Sequence, residues 1–330
     1  MADWSERLLI EQIRQRCPQG QKGLIQSIGD DCCQVAVHDG ALLVTTDTLV
    51  DGVHFDRSFH PPQLLGRKSV AVNLSDIAAM GGKPGFVQLS LCLPEEIEQS
   101  WLDSYLEGVF DILAEYETPL TGGDTVKGDQ LVITVTAFGT PGDKGAVYRN
   151  GARAGDGVWV SGELGSAGCG LQLFLREKKE PGIIAISAYQ SLLNRHLDPA
   201  PRIHLGLELG RTGMVSAMQD ISDGLATDLA HICKASGVSA HIDTACLPYL
   251  PELTAAASAL GIEVEDLILR SGEDYELVFT VRKGEERAFS QMMEKSGEKV
   301  TRIGEIRAGQ GVFLEKETGI EEISFQGYEH

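Results

Sequence analysis

The chain has 330 residues, 42% of them hydrophobic and 23% charged, which supports an ordinary buried core and excludes a disordered protein. Its 48 acidic and 28 basic residues leave a formal net charge of −20, a surface that repels nucleic acid and anionic lipid and excludes both as general partners. No apolar run approaches the roughly 20 residues needed to span a bilayer, and the seven cysteines include no Cys-x-x-Cys pair, so reduced and mostly buried thiols are expected.

Residues 1–17 mix Asp3, Glu6, Arg7, Glu11 and Arg14 with Leu8, Leu9 and Ile13. That pattern predicts an amphipathic helix and not a signal peptide, and hence a cytoplasmic protein. Residues 32–37 and 41–46 read as neighbouring strands joined by a turn at His38-Asp39-Gly40, since Asp-Gly is a strong hairpin signal. A helix is predicted over 62–80, with Pro62 at its start and Gly81-Gly82 at its end. A strand over 85–93, a helix over 95–116 and a long β-branched strand over 130–140 follow.

The loop 141–156, rich in glycine and charge, separates the halves, and the boundary falls near Gly151, giving domains 1–150 and 151–330. Beyond it come a strand over 158–161, a glycine-rich turn over 162–170, and helices to about Arg211. A strand over 214–219 delivers Asp220, and a helix begins at Asp223. Strands over 238–242 and 275–281 enclose helical segments, and short strands near 300–306 and 312–315 close the chain. The alternation predicts two α/β domains of similar size.

Five segments set aspartate beside glycine, serine or threonine: Gly29-Asp30-Asp31, Thr45-Thr46-Asp47, Asn73-Leu74-Ser75-Asp76, Gly122-Gly123-Asp124 and Asp220-Ile221-Ser222-Asp223-Gly224. Each alone reads as a helix cap or a loop turn. If they converge, two carboxylates about 4 Å apart repel by roughly 4 kcal/mol at an effective dielectric near 20. Such a cluster must take up protons or bind cations, and its oxygen donors favour hard ions such as Mg²⁺. Asp47 and Asp220 are expected at the C-terminal ends of strands, where α/β folds place ligands. Asp76 is expected on one face of an apolar helix with Asn73, partly buried by its small neighbours. The Gly-x-x-x-x-Gly-Lys-Ser/Thr loop, the protein-kinase signatures, Gly-x-Ser-x-Gly and His-Glu-x-x-His are all absent. The glycine-rich turn at 162–170 lacks dinucleotide spacing and reads as mainly structural.

In order along the chain these segments, with Asp51-Gly52-Val53-His54-Phe55 and Gly272-Glu273-Asp274-Tyr275-Glu276-Leu277, resemble the thiamine-monophosphate kinase family over about residues 28–328. The wider superfamily includes aminoimidazole ribonucleotide synthetase and selenophosphate synthetase. The resemblance implies a two-domain PurM-like architecture of the α/β (α+β) class, an N-terminal mixed-sheet domain that dimerises and a C-terminal α/β domain that completes the site. It implies ATP-dependent phosphorylation of thiamine monophosphate to thiamine diphosphate with several Mg²⁺ ions, in a homodimer whose N-terminal sheets join across the interface. By motif, Asp30, Thr45, Thr46, Asp47, Asp76, Asp124, Asp220 and Asp223 would hold metal. Tyr105, Gly123, Arg149 and Ser222 would touch ATP, while His54, Glu273 and Tyr328 would line the thiamine side.

The residue types suit that chemistry. An acceptor phosphate is already anionic and needs no general base, so the barrier is repulsion between two polyanions. Arg149 offers a fixed positive donor to phosphate. The cationic thiazolium asks for an aromatic face or an anion, which Tyr328 and Glu273 can supply. One rival is another ATP-using enzyme of the superfamily, selenophosphate or aminoimidazole ribonucleotide synthetase-like. Cys17, within Arg16-Cys17-Pro18, does not resemble the reactive cysteine of a selenophosphate synthetase, and the chain ends in His330, not the terminal cysteine of the hydrogenase-maturation relatives. The rival from another class is a non-catalytic acidic protein that binds divalent metal, although an EF-hand loop is absent.

Overall fold

Strict burial alternation along Gly40–Val50 builds the strand on which the first half is organised: Leu43, Thr45 and Leu49 turn inward while Thr46 and Thr48 face out. The computed structural model describes residues 24–26, 29–37 and 40–328. The expected helix at 1–17, Cys17, the His38-Asp39 pair and Glu329-His330 lie outside the described residues.

The first sheet contains β1 (Leu24–Gln26), β2 (Cys33–Val37), β3 (Gly40–Val50), β4 (Gly82–Leu93), β5 (Leu120–Lys127) and β6 (Val132–Pro141), in the order β1-β2-β3-β6-β4-β5. All neighbours are antiparallel except β4 and β5. β3 runs four residues beyond the strand end expected at Thr46, because Asp47 to Val50 continue in register with Val135 to Val132 of β6. Asp47 therefore lies within a strand and not at its end. The Gly122-Gly123-Asp124 segment, which carried no strand signal, forms part of edge strand β5.

Helix α1 (Pro62–Ala79) and helix α2 (Gln99–Glu115) cover one face of this sheet. Proline opens α1, where its missing N–H costs nothing. The two helices approach until a Cβ at Gly66 would stand 2.1 Å from the Tyr105 carbonyl oxygen, and one at Gly108 1.8 Å from that of Gln63. Only glycine permits that crossing.

The second half contains β7 (Gly157–Ser161), α3 (Ser166–Lys179), α4 (Gln190–Leu197), α5 (Ile203–Thr212), β8 (Val215–Asp220), α6 (Leu225–Ser236), β9 (Ser239–Asp243), α7 (Glu252–Leu260), α8 (Val264–Arg270), β10 (Leu277–Val281), α9 (Glu286–Ser296), β11 (Val300–Arg307), β12 (Gly311–Lys316) and β13 (Gly319–Glu322). Its sheet order is β13-β12-β9-β11-β7-β10-β8, with only β9 and β12 parallel. The result is a mixed α/β protein with two sheets. The helix expected at Asp223 starts at Leu225, which leaves Asp223 in the preceding loop. One apolar core joins α1, α2 and the first sheet to α5, β8 and β10, and a second fills the far side of the second sheet. Helix α1 is therefore buried on nearly every side, from Leu65 to Ala79.

Candidate functional site

Helix α1, itself carrying Asp76, holds two other acidic segments in place through its polar side chains. Asn73 accepts the Asp47 N–H at 3.0 Å and thereby fixes β3 against the helix. Ser75 donates its hydroxyl to Asp220 Oδ2 at 2.7 Å, and Asp76 Oδ2 accepts from Thr45 Oγ1 at 2.5 Å. The carboxylates of Asp31, Asp76 and Asp220 converge, with one oxygen of each lying within 4.8 Å of the others. Three separate segments thus meet at one point, which also borders a cleft of about 1310 Å³ lined by Asp47, Asp76, Asp220 and Asp223.

The loop 220–224 is shaped by a residue that sequence reasoning missed. Asp228, in the first turn of α6, collects the N–H groups of Ser222, Asp223 and Gly224 on Oδ2 at 3.0–3.1 Å, while Oδ1 accepts from Gln219 at 2.8 Å. An acid four residues into a helix that follows Asp-x-x-Asp-Gly was the available signal. Asp30 accepts the Arg149 N–H at 3.2 Å, and the Arg149 guanidinium binds Asp31 at 2.7 Å. Arg149 is thus a cation beside the cluster.

Beside that loop, Gly272-Glu273-Asp274-Tyr275 makes a tight turn with two left-handed non-glycine residues, Glu273 at φ 68° and Tyr275 at φ 48°. It is braced against the aspartate loop: the Glu273 N–H donates to Ser222 O at 2.8 Å and the Tyr275 N–H to Ile221 O at 2.9 Å. Asp274 accepts from the N–H groups of Gly165 and Ala167, at 2.6 and 3.2 Å. The N-terminus of α3 is therefore taken by an internal carboxylate, in keeping with a structural role for the glycine-rich turn. Tyr328 is 49% exposed on the cleft wall, its N–H bonded to Asp223 O at 2.9 Å. His54, whose Nδ1 accepts the Val50 N–H at 3.0 Å, also lines the cleft, as do Thr46, Ser222 and Glu273.

Three expected residues stand elsewhere in the chain. Asp124 lies on exposed β5, in register with Ser90, Thr134 and Thr48, so three strand spacings of about 4.8 Å separate it from β3. Gly123 belongs to the same edge. Its Cβ would meet Leu89 O at 1.7 Å, so close strand approach explains this glycine. Tyr105 requires correction as an ATP contact. It is fully buried between α1 and α2, its hydroxyl 3.0 Å from Ser69 Oγ and its ring stacked on Trp101 at 5.6 Å.

The electrostatics describe a site built for cations. Burial, then neighbouring Asp31, pushes the Asp30 carboxyl up to about 7. Burial, then Asp223 and Asp31, pushes Asp47 up to about 6. Asp76 and Asp220 rise well above the usual range, through burial first and the surrounding carboxylates next. All the converging donors are hard oxygens, with a threonine hydroxyl among them, so the residues present fit Mg²⁺.

Residues 29–140 match the family model of AIR synthase related protein, N-terminal domain, and residues 153–317 that of the C-terminal domain. The thiamine-monophosphate kinase of Buchnera aphidicola subsp. Schizaphis graminum is 37% identical over 312 residues, 93% of either chain. That of Escherichia coli (strain K12) is 36% identical over 308 residues, covering 92% of this chain and 91% of its own. A solved structure of AaThiL complexed with AMPPCP and TMP superposes with a TM-score of 0.84 at 35% identity, over 99% of this chain and 97% of that one.

Proposed function

Because the chain belongs to the thiamine-monophosphate kinase family, we propose that its cleft transfers the terminal phosphoryl group of ATP directly to thiamine monophosphate, giving thiamine diphosphate. The observation that carries this reading is the convergence of Asp31, Asp76 and Asp220 from three segments beside a cleft large enough for both substrates. A non-catalytic metal binder needs no such cleft. Incubating the purified protein with ATP, Mg²⁺ and thiamine monophosphate, then separating the products by chromatography, tests it. Thiamine diphosphate is the expected product, and its absence overturns the reading.

In this proposal Asp30, Thr45, Thr46, Asp47, Asp76, Asp220 and Asp223 hold several Mg²⁺ ions, joined by Asp31. When bound, these ions would supply neutralising charge between the ATP phosphates and the acceptor phosphate. The chain's own part is positioning. Thr45 and Ser75 orient the Asp76 and Asp220 carboxylates, and Asp228 fixes the loop that carries Ser222 and Asp223. Arg149 and Ser222 face the nucleotide, while His54, Glu273 and Tyr328 receive the thiamine moiety. The acceptor phosphate is anionic at neutral pH, so attack needs only an in-line approach with water held away.

Among the described residues no helix covers the outer face of the first sheet, and on it Phe86 and Phe138 stack at 4.6 Å beside Val44, Thr46, Thr48 and Thr134. A second copy covers this face in a homodimer, which would bring Asp124 and Gly123 towards the partner's cleft. Residues 1–150 form the metal-binding and dimerising domain, and 151–330 complete the site; the two sheets and the two family-model matches support that division. No described helix is long and apolar enough to cross a membrane, and the enzyme works in the cytoplasm beside its soluble substrates.

A further inference from the structure

Lys68 lies on α1 seven residues before Ser75, two turns along the same face, and its side chain is 0% exposed. Its Nζ stands 2.8 Å from Glu273 Oε1 and donates to the His196 carbonyl oxygen at 3.2 Å. His196 Nδ1 lies 2.9 Å from the other oxygen of the same carboxylate. Burial, then the Lys68 charge, pushes the His196 imidazole down, and His60, with its ring 5.9 Å from that of His196, falls to about 3, chiefly through burial. Both rings are therefore neutral at ordinary pH, which leaves Lys68 as the full positive charge against Glu273 among the described residues.

A buried ion pair adds little net stability, because desolvation of both partners offsets their attraction. The fold alone therefore gives weak grounds for an ammonium at this position. The cleft gives a better one. Glu273 holds a left-handed backbone, is tied to Ser222, and keeps 24% of its side chain exposed on the cleft wall. Burial alone would raise its carboxyl, but Lys68 and His196 outweigh burial and hold it well below the usual range. A lone carboxyl at this depth would take up a proton, and a neutral acid attracts a cationic ring weakly.

We infer that Lys68 is a positioning residue for the acceptor: from behind Glu273 it holds that carboxylate in place on the cleft wall, as the anion that meets the thiazolium ring of thiamine monophosphate. The inference rests on the reading that Glu273 lines the acceptor side. The same helix then organises both ends of the reaction, with Lys68 serving the organic cation and Ser75 and Asp76 serving the phosphates.

Steady-state kinetics on Lys68→Met, Lys68→Arg, Glu273→Gln and the Lys68→Met/Glu273→Gln double variant test it. Lys68→Met is expected to raise KM for thiamine monophosphate about tenfold, with kcat and KM for ATP within about twofold of wild type. Lys68→Arg should recover most of that loss, and the double variant should be no worse than Glu273→Gln alone, because Lys68 acts through the carboxylate. A double variant with the two effects multiplied overturns the inference. So does a Lys68→Met effect on kcat or on ATP as large as that on the acceptor. If Lys68→Met does not fold, the double variant, which buries no lone charge, is compared with Glu273→Gln: an equal KM supports the inference and a further rise overturns it. A Glu273→Gln variant with unchanged KM removes the underlying reading as well, whereas a raised KM there beside a normal one in folded Lys68→Met overturns the Lys68 inference alone.

Discussion

The Ser75 hydroxyl reaches across 145 positions of sequence to the Asp220 carboxylate, a buried contact of 2.7 Å that ties the helix of the first half to the strand end of the second. It is the donor that opposes the upward push of burial and of the Asp31 charge on Asp220. Ser75→Ala removes it with little change in volume. A hydrogen bond to a charged group is worth about 1.5 kcal/mol, so the Mg²⁺ concentration for half-maximal activity should rise roughly tenfold. A magnesium titration of initial rates measures this, and an unchanged midpoint would remove Ser75 from the support of the metal ligands.

The raised carboxyls carry a sign that can be checked. Asp30 at about 7 and Asp47 at about 6, each lifted first by burial, bind protons in the folded protein at pH values where the unfolded chain has already released them. Metal-free protein should therefore draw the most stability from these groups below the ordinary carboxyl value of 3.8 and lose it progressively as the pH rises from there through about 7. Metal must displace those protons, so Mg²⁺ affinity should fall as the pH drops from about 7 to about 5. Calorimetry near pH 6 in buffers of different ionisation enthalpy reads the released protons directly. Binding without proton release would exclude these carboxylates as ligands.

Tyr328 and Glu273 line the same cleft from distant parts of the chain, one on the tail after β13 and one on the turn before β10. The backbone of Tyr328 is held by Asp223, so truncating the side chain leaves the tail anchored. Tyr328→Ala should raise KM for thiamine monophosphate several-fold, consistent with the roughly 1 kcal/mol of an exposed cation–aromatic contact, with KM for ATP little changed. Equal effects on the two Michaelis constants would take Tyr328 out of the acceptor pocket.

Much of this site was readable because its donors sit in short runs with small neighbours, and α1 was readable from Pro62 to its end. Other parts depend on tertiary facts. Asp30 and Asp31 are adjacent, and only the folded loop shows that Asp31 joins Asp76 and Asp220 while Asp30 holds the Arg149 backbone. Tyr105 looks like an ordinary half-exposed helical tyrosine until Gly66 and Gly108 bring α1 and α2 together over it. Lys68 reads as a solvated charge, since nothing local shows that Glu273, 205 positions later, will meet it. β3 overran its expected end because threonine and aspartate gave a loop signal, whereas pairing with β6 decided its length.

Asp124 decides whether one chain suffices. Three strand spacings separate it from β3, and it faces outward on the same side of the sheet as Thr134 and Thr48, the face a second copy would cover. If Asp124 serves the partner's cleft, then Asp124→Asn and Asp220→Asn homodimers should each lose at least about 100-fold in kcat, the effect of removing an electrostatic stabiliser from a phosphoryl-transfer site. Mixing and re-equilibrating the two inactive variants should restore activity, because a mixed dimer contains one cleft with both native aspartates and one with neither. Half the dimers are then mixed and half their clefts are whole, so about a quarter of wild-type activity is expected. If Asp124 acted within its own chain, every cleft in every dimer would lack one aspartate, and mixing would restore nothing. Rate measurements on the mixture, with light scattering to establish the dimer, separate the two arrangements.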